Sequence, residues 1–303
     1  MSKYGFIGNG NGNSATTYSY ASVLNGNLNL ASSYFSFIGG GYKNYIRPGN
    51  GSGYGVIVNG RNNISEPSCF VGTGSYNSAT TVSGSVGASV LNGNSNWAAG
   101  SFNSILNGKK NVVLDNYSII GNGYNNKISS VYTHHSFIGT GVNNQITPGV
   151  ATISFHSSVL NGYANTLNLG QFSTILNGQN NNINNCKGSA ILGGSGNTIS
   201  GSHSSILAGT GITSSLNDTA IAQNFGVVTS GHNPSAGQGV LVAGSLTITT
   251  NVATVNSLVF CQRLSGGINQ GFLVVNNFGG SFTVSSSNGL DTGTFNWWVL
   301  NPA

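Results

Sequence analysis

The sequence predicts an all-β chain: a β-solenoid, a two-sheet β-roll of about 13–14 coils of 15–16 residues, followed by a small antiparallel β-domain. Three observations predict it. A phrase of two apolar residues closed by a turn recurs along the chain, as in Ser157-Ser158-Val159-Leu160-Asn161-Gly162 and Ser173-Thr174-Ile175-Leu176-Asn177-Gly178. An Asn follows the closing glycine by three residues in all but one repeat. No apolar stripe of helical period competes with this pattern, and Gly, Asn and β-branched residues are poor helix formers.

The repeat is anchored on its glycines: Gly10, Gly26, Gly41, Gly60, Gly74, Gly93, Gly108, Gly123, Gly141, Gly162, Gly178, Gly194 and Gly209. Most steps are 15 or 16 residues, and the longer ones mark insertions. The apolar pair suits a short pleated strand. Asn-Gly is the strongest short turn signal, because both residues accept positive φ at low cost. The Asn three places later, from Asn13 to Asn197, suits a corner. Stacked once per coil, these amides would bond one another in a ladder. Only Ile212, after Gly209, breaks the rule. A second strand then begins, so each repeat holds two short strands and two turns.

Adjacent residues on a strand point to opposite faces. One apolar residue of each pair therefore enters the coil and the other leaves it. The first members of the pairs form the candidate outward stripe: Val23, Phe37, Phe70, Val90, Ile105, Ile119, Phe137, Val159, Ile175, Ile191 and Ile206. Pattern alone leaves open which column faces in. Either way a long apolar strip is left outside, and a symmetric oligomer would bury it.

The repeat fades after Gly209, and residues 1–225 are expected to form the solenoid, 226–239 a linker and 240–303 a β-sandwich-like cap or tip domain. Alternating runs such as Thr254–Phe260 and Thr294–Leu300, split by Asn-Asn, Gly-Gly and Asn-Gly turns, predict antiparallel strands there. Trp297 and Trp298 fall on opposite faces of one strand, one for the core and one for a sugar platform or a subunit contact.

Composition narrows the function. Only 4% of the residues are charged, against about 25% in an ordinary soluble domain. The nine Lys and Arg outnumber the four acids, but Lys109-Lys110 is the only adjacent basic pair. No basic cluster of the nucleic-acid kind is visible. Cys69, Cys186 and Cys261 are odd in number and far apart, so no disulfide framework or zinc spacing arises. No apolar run reaches the roughly 18 residues of a membrane span. Met1-Ser2-Lys3-Tyr4 leads straight into the repeat, which predicts synthesis without a secretory leader. Glycan hydrolysis calls for two nearby carboxylates. Glu66, Asp115, Asp218 and Asp291 are dispersed, with Glu66 and Asp115 about three coils, or about 14 Å, apart along the stack. A non-enzymatic protein with no metal and no cofactor is the resulting expectation.

The phrases Ser157–Gly162 and Ser189-Ala190-Ile191-Leu192-Gly193-Gly194 resemble the S-x-A-I-G repeats in the heads of trimeric autotransporter adhesins, and similar repeats occur in phage and algal-virus fibre proteins. The resemblance covers roughly residues 1–225 and implies a β-roll packed in threes. The chain departs from the adhesin pattern in its longer, irregular period, its heavy use of Asn-Gly and its lack of a signal peptide, heptad stalk or anchoring barrel. Those departures favour a fibre or spike made in a host cytoplasm and carried on a virion surface. It would contact itself, other virion proteins and a host-surface glycan or protein, with no nucleic acid and no membrane insertion. A microbial cell-surface adhesin or extracellular filament subunit is the alternative, and a polysaccharide depolymerase a lesser one.

Recognition is expected on the insertions, where aromatics sit beside polar groups. The candidate glycan or receptor contacts are Tyr42, Tyr45, Arg47, Tyr54, Tyr76, Tyr132, His134, His135 and Trp298.

Overall fold

A computed structural model of the chain describes residues 4–16, 20–48, 53–81, 87–147, 156–222, 236–250, 253–265 and 269–300. They form two compact units, Met1–Gln223 and Asn224–Ala303. Among the described residues there is no helix. Unit one is a β-solenoid: a 14-stranded and a 13-stranded parallel sheet, each taking one short strand from every coil.

The anchor glycine makes the first corner. Gly108 has φ +105°, and a Cβ there would collide with the carbonyl of Gly123 directly above it. Only glycine lets consecutive coils approach this closely. The Asn three residues on is fully buried in coil after coil. Asn111 Nδ2 donates to the Asn107 carbonyl at 3.2 Å and to the Gly123 carbonyl of the next coil at 3.0 Å. Its Oδ1 accepts the backbone N–H of Asn126 at 3.0 Å. The same set repeats from Asn29 to Asn197, so the ladder is primarily side chain to backbone. Ile212 is its terminus: its N–H still donates to Asn197 Oδ1 at 3.0 Å, and it offers no amide onward.

The second corner carries a shorter ladder of serine hydroxyls. Ser173 Oγ accepts the N–H of Ser189, and Ser189 Oγ that of Ser204, each at 3.2 Å. The first Ser of each phrase is thus a buried corner residue.

The interior is filled by one residue from each strand. On the first sheet this residue lies three places before the anchor: Val23, Ile38, Ile57, Val71, Val90, Ile105, Ile120, Ile138, Val159, Ile175, Ile191 and Ile206 are all at 0% exposure. Each fully buried Val or Ile of this kind contributes about 1.5–3 kcal/mol. Seven members of the expected outward stripe, Val23, Val90, Ile105, Val159, Ile175, Ile191 and Ile206, are therefore core residues. Phe37, Phe70, Ile119 and Phe137 do face out. The reason is register. In phrases of the type Ser136-Phe137-Ile138-Gly139 the apolar pair stands one residue further from the anchor than in Ser158-Val159-Leu160-Asn161. The first apolar residue of the pair thus falls in two registers, and with a period of two that reverses the face.

The outward rank has its own rule. Where Phe or Ile stands four places before the anchor, Gly stands two before it: Phe37 with Gly39, Phe70 with Gly72, Ile119 with Gly121, Phe137 with Gly139. Where Leu stands two before, Ser, Thr or Ala stands four before: Ser104 with Leu106, Ser158 with Leu160, Thr174 with Leu176, Ala190 with Leu192. Every coil thus sets one large apolar residue on this face, apart from the coil of Val56 and Val58, which has two. These residues are exposed along the whole sheet, from Phe6 through Leu91 and Leu160 to Leu207.

Unit two holds two three-stranded antiparallel sheets. One orders Ala236–Val240, Thr294–Leu300 and Leu258–Ser265; the other orders Ser245–Thr249, Ser281–Ser286 and Leu273–Asn277. Leu241, Phe282, Val284, Phe295 and Trp297 form the core. Trp297 is buried edge-on to Phe282, and Trp298 faces out, stacked on Phe260 at 5.5 Å. Residues 226–235 of the expected linker lie outside the described residues, and Ala236–Val240 is a strand. Asp291 is the polar hub of this unit. It accepts from Arg263 (2.6 and 3.1 Å), Ser286 Oγ (2.7 Å) and the backbone N–H groups of Gly271 and Gly293 (3.0 and 2.8 Å).

Candidate functional site

The coil places outward side chains in fixed columns, so chemistry can be read column by column. On the second sheet the residues four and six places after the anchor point outward, on either side of a buried one. In neighbouring coils the first of these columns runs Tyr45, Ile64, Ser78, Trp97, in direct cross-strand register. The second runs Arg47, Glu66, Thr80, Ala99.

Glu66 is the fixed point of this face. Its Oε2 accepts the backbone N–H of Thr81 at 2.8 Å and the Thr81 hydroxyl at 2.9 Å. Its Oε1 lies 3.7 Å from Arg47 Nη1. Trp97 is 44% exposed, and its indole N–H donates to Thr80 Oγ1 at 3.0 Å, which locks the ring in the face. Tyr45 and Trp97 lie three coils apart, about 14 Å, with the Arg47–Glu66 pair beside the span between them. Two aromatic side chains, a guanidinium, a carboxylate and hydroxyls on a flat parallel sheet can take the apolar faces and the polar rims of successive sugar rings.

The expected contact residues do not converge on one place. Tyr45 and Arg47 belong to this face. Tyr42 and Tyr76 stand on the first corner, next to it. Tyr54 and His135 occupy the second corner, in a column six places before the anchor that reads Phe, Tyr or His in ten of thirteen coils. There Tyr4, Tyr20, Phe35 and Tyr54 stack in sequence, as do Phe102, Tyr117, His135, His156 and Phe172, with ring centroids 5.0–5.5 Å apart. His135 has a ring against each face, so it offers its edge and not a platform. The side chains of Tyr132 and His134 lie outside the described residues. Trp298 belongs to unit two. Glu66, Thr81 and Trp97 were not among the expected contacts; their signal was the column, not the insertion. The remaining solenoid carboxylates are structural or peripheral. Asp115 is buried against Ser118 Oγ at 2.8 Å, and Asp218 sits 3.5 Å from His203. Burial pushes the Cys69 thiol up to about 11, which makes it a core residue and not a nucleophile.

Residues 233–300 match the family model of the K1 capsule-specific polysaccharide lyase C-terminal domain. No curated protein matches the chain. The match lies in unit two and spans less than a quarter of the sequence. Together with the β-solenoid, it makes the chain tail-spike-like.

The match overturns the expectation of a non-enzymatic fibre. That expectation rested on the scarcity of carboxylates, which is a criterion for hydrolysis. A lyase breaks the chain by elimination. Elimination needs a base for one ring proton and a donor or cation to hold the developing negative charge. Arg, Lys, Tyr and His supply those roles, so a shortage of acids does not count against it. The match covers a C-terminal domain and assigns no reacting group on this chain.

Proposed function

We propose that the chain is the subunit of a phage tail-spike-type protein, displayed on a virion surface, that binds a capsule-type polysaccharide along its solenoid and cleaves it by elimination. The match of residues 233–300 to a capsule lyase C-terminal domain carries this reading. The exposed face of Tyr45, Arg47, Glu66 and Trp97 supports it with a surface suited to sugar rings. In the reaction the glycosidic C–O bond breaks and a base removes the proton from the carbon next to the departing oxygen's carbon. A C=C bond forms and the leaving oxygen takes up a proton. No water is consumed.

The subunit associates with copies of itself, as a trimer, through the outward rank of the first sheet. That rank carries no charge at all. It sets a large apolar residue on every coil along the sheet, the kind of continuous apolar strip that a symmetric assembly buries.

The test is digestion of a panel of purified bacterial capsule polysaccharides by the full chain. Viscosity should fall while ultraviolet absorbance from unsaturated chain ends rises. Loss of viscosity with new reducing ends and no absorbance would replace elimination by hydrolysis. Neither change on any capsule would refute the enzymatic reading.

A further inference from the structure

With nine Lys and Arg and only four acids in 303 residues, the place of each charge is informative. Six of the nine bases lie on the first corner or the second-sheet face beside it: Lys43, Arg47, Arg61, Lys109, Lys110 and Lys127. Glu66 is the only acid on that side, and Arg47 is its partner. Asp115 is buried, Asp218 belongs to the second corner beside His203, and Asp291 belongs to unit two.

The corner cations are held without being neutralised. Lys43 lies over the Tyr42 ring at 5.2 Å, Arg61 over Tyr76 at 5.6 Å and Lys110 over Tyr124 at 5.8 Å. A ring face orients a cation and leaves its charge in place. Among the described residues none of Lys43, Arg61, Lys109 and Lys110 forms an ion pair, and all four are exposed.

We propose that this corner binds a polyanionic polysaccharide laid along the solenoid axis, with Lys43 and Arg61 holding one acidic group and Lys109 and Lys110 the next. The proposal rests on the polysaccharide reading above and adds the charge class of the polymer and its track. The geometry favours a sparsely charged chain. Lys43 and Arg61 sit in adjacent coils, and Arg61 and Lys109 are three coils apart through Ser75 and Asn94, about 14 Å. That gap carries hydroxyls and amides instead of charge: Asn94 Nδ2 donates to Ser75 Oγ at 2.7 Å, and Ser95 Oγ to Asn94 Oδ1 at 2.9 Å. Sugar hydroxyls suit such a stretch. A nucleic acid carries a phosphate on every residue and calls for a denser row of cations.

The test is affinity electrophoresis of the full chain in gels containing hyaluronate or gellan, acidic chains charged once per disaccharide and once per tetrasaccharide, or neutral dextran, with oligothymidylate in solution as a competitor. The variants are Lys43→Gln/Arg61→Gln, Lys109→Gln/Lys110→Gln and all four together, at exposed positions where the fold tolerates change. Thermal melting confirms that each variant is folded. An acidic chain should retard the parent, with an effect that weakens in added salt. Each double variant should lose about tenfold in affinity and the quadruple variant more. Dextran should not retard the parent, and oligothymidylate should compete poorly. The inference is overturned if neither acidic chain retards the parent, if the folded quadruple variant binds as the parent does, or if oligothymidylate binds more tightly than either. Cleavage of a neutral capsule would overturn it while leaving the enzymatic reading intact. Corner-dependent binding without cleavage of any capsule would do the reverse.

Discussion

Replacing Asn111 by Ala removes one rung of the amide ladder, and the structure sets the scale of the loss. Two donated bonds disappear, to the carbonyls of Asn107 and Gly123, together with the bond accepted from the Asn126 N–H. The losses are unequal. Asn107 lies at an exposed turn, so water can take its carbonyl, and Gly123 keeps the bond from the Lys109 N–H at 2.9 Å. Asn126 is fully buried, and its N–H is left with no acceptor. An orphaned buried donor costs about 1–3 kcal/mol, and the two lost bonds add about 1 kcal/mol. The expected destabilisation is thus about 3 kcal/mol. Asn111→Asp should cost more, because a buried carboxylate would face two carbonyl oxygens where the amide donated. Asn184→Ala is the control. Its half-exposed side chain accepts one bond from Asn168 on the outer face, so the change should stay within about 0.5 kcal/mol. A stacked array need not unfold in one step, so hydrogen exchange at the Asn126 amide is the decisive readout, beside urea unfolding. Asn111→Ala with unchanged protection at Asn126 and stability within about 0.5 kcal/mol of the parent would show that the ladder is not what holds the corner.

Three further predictions concern packing, assembly and pH. Val159→Asp places a charge in the core and should unfold its coils, whereas Leu160→Asp should preserve the far-ultraviolet spectrum and lower the mass seen by light scattering; equal masses for parent and Leu160→Asp would refute self-association through the rank. Gly139→Ala brings a Cβ into the Leu160 carbonyl and should lower the melting temperature, while Gly193→Ala, with open space around it, should not; equal melting of the two would remove the steric account. The Arg263 guanidinium, with the Ser286 hydroxyl and the Gly271 N–H, holds the Asp291 carboxyl well below the usual carboxylate range. A depressed folded pKa stabilises unit two fully above the ordinary Asp value of about 4, and that stability fades as pH falls through the folded pKa. Melting followed by near-ultraviolet signals from Trp297 should therefore show a midpoint that drops with acid in the parent and less in Asp291→Asn; parallel pH profiles would refute the assignment.

The coil was legible in the sequence because its corners have almost no freedom. Gly108 admits no side chain, and Asn111 needs both a donor and an acceptor at one spot, so both recur visibly. The faces were harder to read. Val159 and Phe137 each open an apolar pair, yet one is core and the other surface, because the phrase slides by one residue against its anchor. Only the distance to the glycine tells them apart. The aromatic column through Phe102, Tyr117 and His135 was hidden in another way: it stands a fixed six places before its own anchor but follows insertions of differing length, so its spacing from the preceding coil varies. Tyr45 and Arg47 were visible as aromatic and cation, but Trp97 joins them only when coils are stacked. A scarcity of carboxylates bears on hydrolysis alone and says nothing against elimination.

The exchange between the two outward positions of the first sheet argues that this face has a task of its own. Core packing does not demand it, because the inward residue is Val or Ile in either register. Chain entropy does not favour it either, since each Gly at the second outward position adds freedom to the unfolded chain. What the exchange preserves is one large apolar group per coil at nearly constant depth, with the backbone drawn in beside each Phe: a Cβ on Gly139 would meet both the Leu160 carbonyl and the Phe137 ring. A surface in contact only with water has no reason to keep such a rank continuous, whereas one that packs against an identical surface does. Among the described residues, the charged groups of the solenoid stand on the corners and the second sheet. On the proposed reading, assembly and ligand binding fall on different columns of the same coil, so a substitution in one should leave the other unchanged.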